Sequence, residues 1–170
     1  ATALQAYDPY SASKIAGEAM LAAYACAFGI AGTALRVSTV YGPGRATPYI
    51  IADLIRAGRT GGSATVSGAR ASMRQYVHVD DVARAIRLAA ATKLPGFTPL
   101  NITGGSYLSE ADLAEIIRKH LPRLQVIADP ARPGGDGDFG PLDITAAARL
   151  IGYRPEVALA DGLARLIEKL

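Results

Sequence analysis

Half of the 170 residues are apolar and 19% are charged, enough for a sizeable core, and this excludes a disordered or low-complexity chain. The net charge of +3 comes from 14 Arg and 4 Lys against 15 acids. These bases are scattered, with no basic run and no interleaved aromatics. That argues against nucleic-acid binding and for single arginines meeting anionic ligands. The lone Cys26 excludes a disulfide framework. On an Ala-rich helix it reads as a buried, inert thiol.

The first element predicted is a helix over 9–28. Asp8 suits its N-cap and Pro9 its first position, where a missing N–H costs nothing. Tyr10 and Lys14 then stand one turn apart on one face. A phenol beside an ammonium is a usable acid/base, because a neighbouring positive charge favours the phenolate and lowers its pKa towards neutrality. Eight Tyr and four Lys would produce Tyr-x-x-x-Lys by chance about one time in five. The pair therefore needs support from its surroundings.

Gly29 ends this helix. Ala16, Ala19, Met20, Ala23 and Ala27 form a small-residue stripe, which reads as core packing and also allows a homodimer contact through helix 9–28. The uncharged run 19–35 approaches the length of a membrane span. Gly29 and Gly32 divide it into a helix and a strand, so no membrane partner is expected.

A strand is predicted over 33–40, running into the Tyr41-Gly42-Pro43-Gly44-Arg45 turn. A short helix over 48–57 ends at Gly58. Strands follow at 64–67 and 75–79, then a helix over 81–92 capped by Asp80 or Asp81, with Val82, Ala85, Ile86 and Ala89 on its inner side. A strand over 99–103 leads to a helix over 110–121, opened by a Ser109/Asp112 capping box, with Leu113, Ile116, Ile117 and Leu121 inward. A strand at 124–128, a Pro/Gly-rich loop over 129–142 and helices near 143–151 and 159–169 complete the chain. Strands alternate with helices throughout, which defines an α/β class.

Three weaker signals are set aside. Gly134-Gly135-Asp136-Gly137-Asp138 resembles the start of a calcium-binding nonapeptide but occurs once, and such repeats need several copies to stack. His78 with Asp80 and Asp81 is better explained by helix capping than by a metal. Gly104-Gly105-Ser106 follows a strand, but no lysine comes after it.

Four segments in order, DPYSASK at 8–14, LRVSTVYGPGR at 35–45, RQYVHVDDVARAI at 74–86, and RPGG followed by a helix and LIGYRP over 132–155, resemble the C-terminal half of an extended short-chain dehydrogenase/reductase. The branch resembled is the NAD-dependent nucleotide-sugar epimerase/dehydratase family. That resemblance implies the C-terminal half of a Rossmann-like doubly wound domain plus a small substrate-binding α/β subdomain. Residues 1–47 would end the cofactor-binding sheet, and residues 48–170 would form mainly the substrate subdomain, with segments returning to the main sheet.

It also implies roles. Tyr10 would take the proton from a sugar hydroxyl as hydride leaves for the nicotinamide of NAD or NADP. Lys14 would lower the pKa of Tyr10 and hydrogen-bond the nicotinamide ribose. Ser38 falls where the backbone touches the cofactor, and Thr39 where many members carry a substrate-contacting asparagine. Arg45 would sit at the mouth of the site, and Arg74 and Arg132 would hold the diphosphate of a nucleotide sugar. A diphosphate suits forked guanidinium donors.

Gln75 departs from the family, which usually has Asp there, and Gly135 is an extra residue before Asp136. The glycine-rich pyrophosphate loop, the ribose-reading acid and the Ser or Thr of the catalytic set have no counterpart in the 170 residues. The chain, which opens on Ala1, is therefore read as a processed start or as part of a longer protein. Alone it is expected to bind NAD weakly or not at all, and to show an open sheet edge with an apolar groove along helix 9–28. With no secretory signal visible, a cytoplasmic location is expected.

Two other readings compete. One is an NADP-dependent carbonyl reductase of the same superfamily, disfavoured because a small ketone offers no diphosphate to Arg74 and Arg132. The other is a non-catalytic binding or regulatory relative, disfavoured by Tyr10 and Lys14.

Overall fold

The computed structural model describes residues 6, 8–68, 73–131 and 140–169. The chain runs α1 (Pro9–Phe28), β1 (Gly32–Val37), β2 (Thr39–Tyr41), α2 (Ile50–Thr60), β3 (Ser63–Ser67), β4 (Arg74–His78), α3 (Val79–Ala91), β5 (Phe97–Ile102), β6 (Tyr107–Leu108), α4 (Glu110–Arg118), β7 (Gln125–Asp129), α5 (Thr145–Ile151) and α6 (Leu159–Lys169).

Local chemistry sets the ends of α1. The Asp8 carboxylate accepts the Ser11 N–H at 2.6 Å, and the Ser11 hydroxyl oxygen accepts the Asp8 N–H at 3.1 Å, a reciprocal capping box with Pro9 at the first helical position. The Ser11 hydroxyl and then the Ser11 N–H hold the Asp8 carboxyl below its ordinary pKa. Gly29 closes the helix in the left-handed region, φ 65°.

The expected strand over 33–40 is two strands with different partners. β1 pairs in parallel with β5, and β2 pairs in parallel with β4. The change falls at Ser38, whose N–H still donates to the Ile102 carbonyl at 3.0 Å. β4 also pairs antiparallel with β6, so that Arg74 lies opposite Leu108, and β3 pairs in parallel with β7. Among the described residues, β1 is paired on one side only.

Two apolar cores result. One gathers α2, β3, α4 and α6 around Ile51, Leu54, Val66, Leu113, Ile117 and Leu163, with Tyr41 and Tyr76 reaching in from β2 and β4. The other packs Ala85 of α3 and Leu100 and Ile102 of β5 against Ala147, Ile151 and Tyr153. Buried Asp81 ties α3 to the segment leading into α6. It accepts from the N–H groups of Glu156 (2.9 Å) and Val157 (3.1 Å) and pairs with Arg84 at 2.7 Å.

Several expectations change. Helix α2 runs through Gly58 to Thr60, because Gly58 serves close packing: a Cβ there would stand 2.8 Å from Leu121. Termination comes at Gly61, φ 71°. His78, not Asp80 or Asp81, caps α3, its Nδ1 accepting the Asp80 N–H at 3.2 Å. The inner side of α3 holds Ala85, whereas Ile86 is 55% exposed. Helix α4 stops at Arg118, and β6 was not anticipated. Cys26 is exposed, as are Ala16, Ala19, Met20, Ala23 and Ala27, so the small-residue stripe is not core. The run 19–35 is divided between α1 and β1 as its glycines suggested, and no helix among the described residues is long and apolar enough to cross a membrane.

Candidate active site

The site is built where α1 lies along β1. Close approach is set by Gly32, where a Cβ would stand 2.5 Å from the Leu21 side chain. Between the two elements runs an open groove of about 620 Å³, lined by Tyr10, Lys14, Glu18, Leu21, Arg36 and Val37 among others. Helical spacing puts Tyr10, Lys14 and Glu18 in file, one turn apart. The Lys14 Nζ stands 5.1 Å from the Tyr10 ring centroid, within cation–π range. Tyr10 is 69% exposed, so its phenol is open to a ligand in the groove.

One further turn along, the Glu18 carboxylate receives Arg36 of β1 in a two-pronged contact. Nε stands 3.0 and 3.1 Å from the two carboxylate oxygens, and one terminal nitrogen stands 2.6 Å from Oε2. Hydrogen bonding to Glu18 pushes the Arg36 guanidinium pKa further up, so it stays charged. Neither residue was singled out from sequence. Glu18 could have been found by extending the Tyr10/Lys14 spacing one turn, but Arg36 lies 18 positions away and its partner is a tertiary fact.

Ser38 sits where the strand changes partner, at the carboxyl ends of β1 and β5. Ligand crevices form at such places in open α/β sheets. Its hydroxyl oxygen is buried and has no hydrogen-bond partner among the described residues. Thr39 opens β2, half-buried opposite Tyr76.

Arg45 is exposed and folds back on its own turn. It donates to the Val40 carbonyl and to the Thr47 hydroxyl, and its guanidinium stacks 4.2 Å over the Tyr49 ring. It lines a separate cavity of about 350 Å³ with Tyr41, the Gly42–Gly44 turn and Val79. Arg74 is half-buried at the start of β4. Arg132, and the Gly134–Asp138 stretch after it, lie outside the described residues. Tyr10 and Lys14 thus share one cavity, whereas Arg45 belongs to another.

Gln75, the departure from the Asp expected there, is buried, and its side-chain oxygen accepts the Leu142 N–H at 2.6 Å. The donor is a neutral amide, so a neutral acceptor serves in place of a carboxylate. Two other phenols, Tyr41 of β2 and Tyr76 of β4, are buried in the first core. Burial pushes Tyr76 up to about 12 and raises Tyr41 strongly, so neither is suited to give up its proton near neutrality.

Parallel α/β strands flanked by a helix that carries Tyr and Lys one turn apart make a Rossmann-like arrangement with a phenol and an ammonium beside the sheet. The profile of the NAD dependent epimerase/dehydratase family matches residues 1–103, and the chain belongs to that family. It is 33% identical over 162 residues to a dTDP-glucose 4,6-dehydratase of Streptomyces niveus, covering 94% of this chain and 48% of that protein. It is 31% identical over 174 residues to a UDP-glucose 4-epimerase of Mycolicibacterium smegmatis, covering 95% and 52%.

Among solved structures, DesIV, a dTDP-glucose 4,6-dehydratase from Streptomyces venezuelae solved with NAD bound, superposes with a TM-score of 0.82 at 31% identity. The match covers 99% of this chain and 52% of that one. MoeE5 in complex with UDP-glucuronic acid and NAD gives 0.82 at 30% identity, covering 96% and 56%. The chain spans about half the length of the relatives it matches.

Proposed function

We propose that this chain carries the acid/base half of an NAD(P)-dependent epimerase or dehydratase acting on a nucleotide sugar through transient oxidation of a sugar hydroxyl. The observation that carries the reading is the juxtaposition of Tyr10 and Lys14 on one wall of an open groove. The groove fits a nicotinamide cofactor in its chemistry, with an exposed phenol and an ammonium able to donate to a ribose hydroxyl, and Ser38, one residue beyond the groove-lining Val37, adds a buried hydroxyl with no hydrogen-bond partner among the described residues. When bound, NAD or NADP supplies the acceptor that takes a hydride from a sugar carbon and returns it.

The protein's part is proton transfer and grip. Tyr10 accepts the proton of the sugar hydroxyl as the carbon is oxidised, and gives it back when the ketone is reduced. The positive charge of Lys14 near the ring stabilises the Tyr10 phenolate, which takes the proton and is formed again when the proton is given back. Ser38 meets the cofactor at the sheet crevice, and Thr39 meets the sugar. Arg74 and Arg132 hold the diphosphate, because the paired N–H groups of guanidinium match phosphate oxygens. That DesIV and MoeE5 were solved with NAD, and MoeE5 with UDP-glucuronic acid, supports this ligand class.

The test is turnover by the natural gene product that carries these residues. Incubated with NAD and, separately, UDP-glucose, UDP-glucuronic acid and dTDP-glucose, it is expected to convert at least one, with transient appearance of reduced nicotinamide. Absence of both signals with every nucleotide sugar tried would contradict the reading.

A further inference from the structure

We infer that the Glu18–Arg36 pair is a positioning device for the acid/base pair: it fixes the rotation of α1 against β1, and so fixes where Tyr10 and Lys14 stand. The inference rests on the reading of Tyr10 and Lys14 as acid and base.

Apolar packing sets that rotation only in part, through Leu21 seated against Gly32. Of the residues in α1, Ala25 is buried, while Tyr10, Met20, Tyr24 and Phe28 are 50–69% exposed. Alanine and glycine give a smooth face with little to index it. The fork of Arg36 on the Glu18 carboxylate adds a directional index, since a two-pronged contact fixes direction as well as distance. It is also partly sheltered, with side-chain exposures of 35% and 19%, so water competes with it less than at an open surface.

Its place in the fold matters more than its strength. Glu18 lies one turn beyond Lys14 and two beyond Tyr10 on the same file of α1. Arg36 lies two residues before Ser38, on the strand that carries the crevice. The pair also lines the same groove as Tyr10 and Lys14. Loss of the fork would let α1 turn or slide by a fraction of a residue spacing, and misplacement of about 1 Å can cost a hundredfold in rate. Arg36 and Glu18 are positioning residues here; they transfer no proton themselves.

The experiment uses the natural gene product, with variants Glu18→Gln, Arg36→Lys and Arg36→Gln, and Tyr10→Phe as control. Steady-state kinetics on its nucleotide sugar is read together with thermal unfolding. The expectation is a fall in kcat of about tenfold to a hundredfold in Glu18→Gln and Arg36→Gln, with KM for the nucleotide sugar within about twofold. Arg36→Lys keeps the charge but loses the fork, and should fail to restore kcat.

A lower melting temperature with kcat per folded enzyme unchanged would overturn the inference and leave the pair as a structural brace. Full kcat in Arg36→Lys would overturn it too, because charge alone would then suffice. If Glu18→Gln or Arg36→Gln fails to fold, Arg36→Lys carries the test. Full activity in Tyr10→Phe would remove the acid/base reading and this inference with it. A dead Tyr10→Phe beside normal Glu18 and Arg36 variants would remove the inference alone.

Discussion

Helices α1 and α6 put the same backbone to opposite uses. In its 11 residues α6 buries Leu159, Gly162, Leu163 and Leu166, and Gly162 fits so closely that any Cβ there would overlap the Tyr41 hydroxyl. Over 20 residues α1 buries Ala25. Helix α6 is held by shape and area, whereas α1 is held by its caps, by the contact of Leu21 with Gly32, and by one ion pair. A helix held in the second way keeps its polar face open, and that is where Tyr10 and Lys14 stand.

The contrast can be broken at several points. The largest effect on stability is expected at Leu163, fully buried in the first core. Leu163→Ala should cost about 2–5 kcal/mol, read from chemical denaturation. Gly162→Ala should cost about 1–3 kcal/mol by overpacking. The diagnostic is its partner variant: Tyr41→Phe removes a buried hydroxyl that has no hydrogen-bond partner among the described residues, so it should be close to neutral alone and should recover part of the loss in the double variant.

A third expectation concerns alkaline pH. Tyr76 and Tyr153 are each pushed up to about 12, chiefly by burial, and Tyr41 is raised further still. Their folded pKa values exceed the unfolded value of about 10, so above pH 10 the unfolded chain sheds protons that the folded chain keeps. The stability they contribute is whole below pH 10 and is lost as pH rises through 12. Unfolding followed between pH 9 and 12 should show that decline, and Tyr76→Phe should soften it.

The smallest effect is expected on α1. Phe28→Ser should change stability by less than about 0.5 kcal/mol, because Phe28 is 69% exposed. A loss of several kcal/mol would mean that more of the natural protein, or a partner, covers α1.

The α1 contrast also shows what the sequence made readable. Asp8, Pro9 and Gly29 marked both ends of α1 because capping is a local matter decided within four residues. The Ser109/Asp112 box was readable for the same reason, with the Ser109 hydroxyl accepting the Asp112 N–H at 3.1 Å. The Tyr10/Lys14 juxtaposition followed from helical spacing alone.

What was not readable depended on distant partners. The break at Ser38 exists because β5 and β4 take successive parts of one strand. Gly58 reads as a stop in sequence because its role, room for Leu121, lies 63 positions away. The expectation of a buried Cys26 fails because alanine-rich helices carry no pattern that says which side faces inward. Arg36 went unnoticed since its partner lies on another element.

The account turns most directly on Tyr10. Tyr10→Phe in the natural gene product keeps the ring beside Lys14 and removes only the hydroxyl to which the proton transfer is assigned. Steady-state turnover of its nucleotide sugar is expected to fall by about 10²- to 10⁴-fold, with the melting temperature unchanged. Turnover equal to that of the unaltered protein would contradict the assignment.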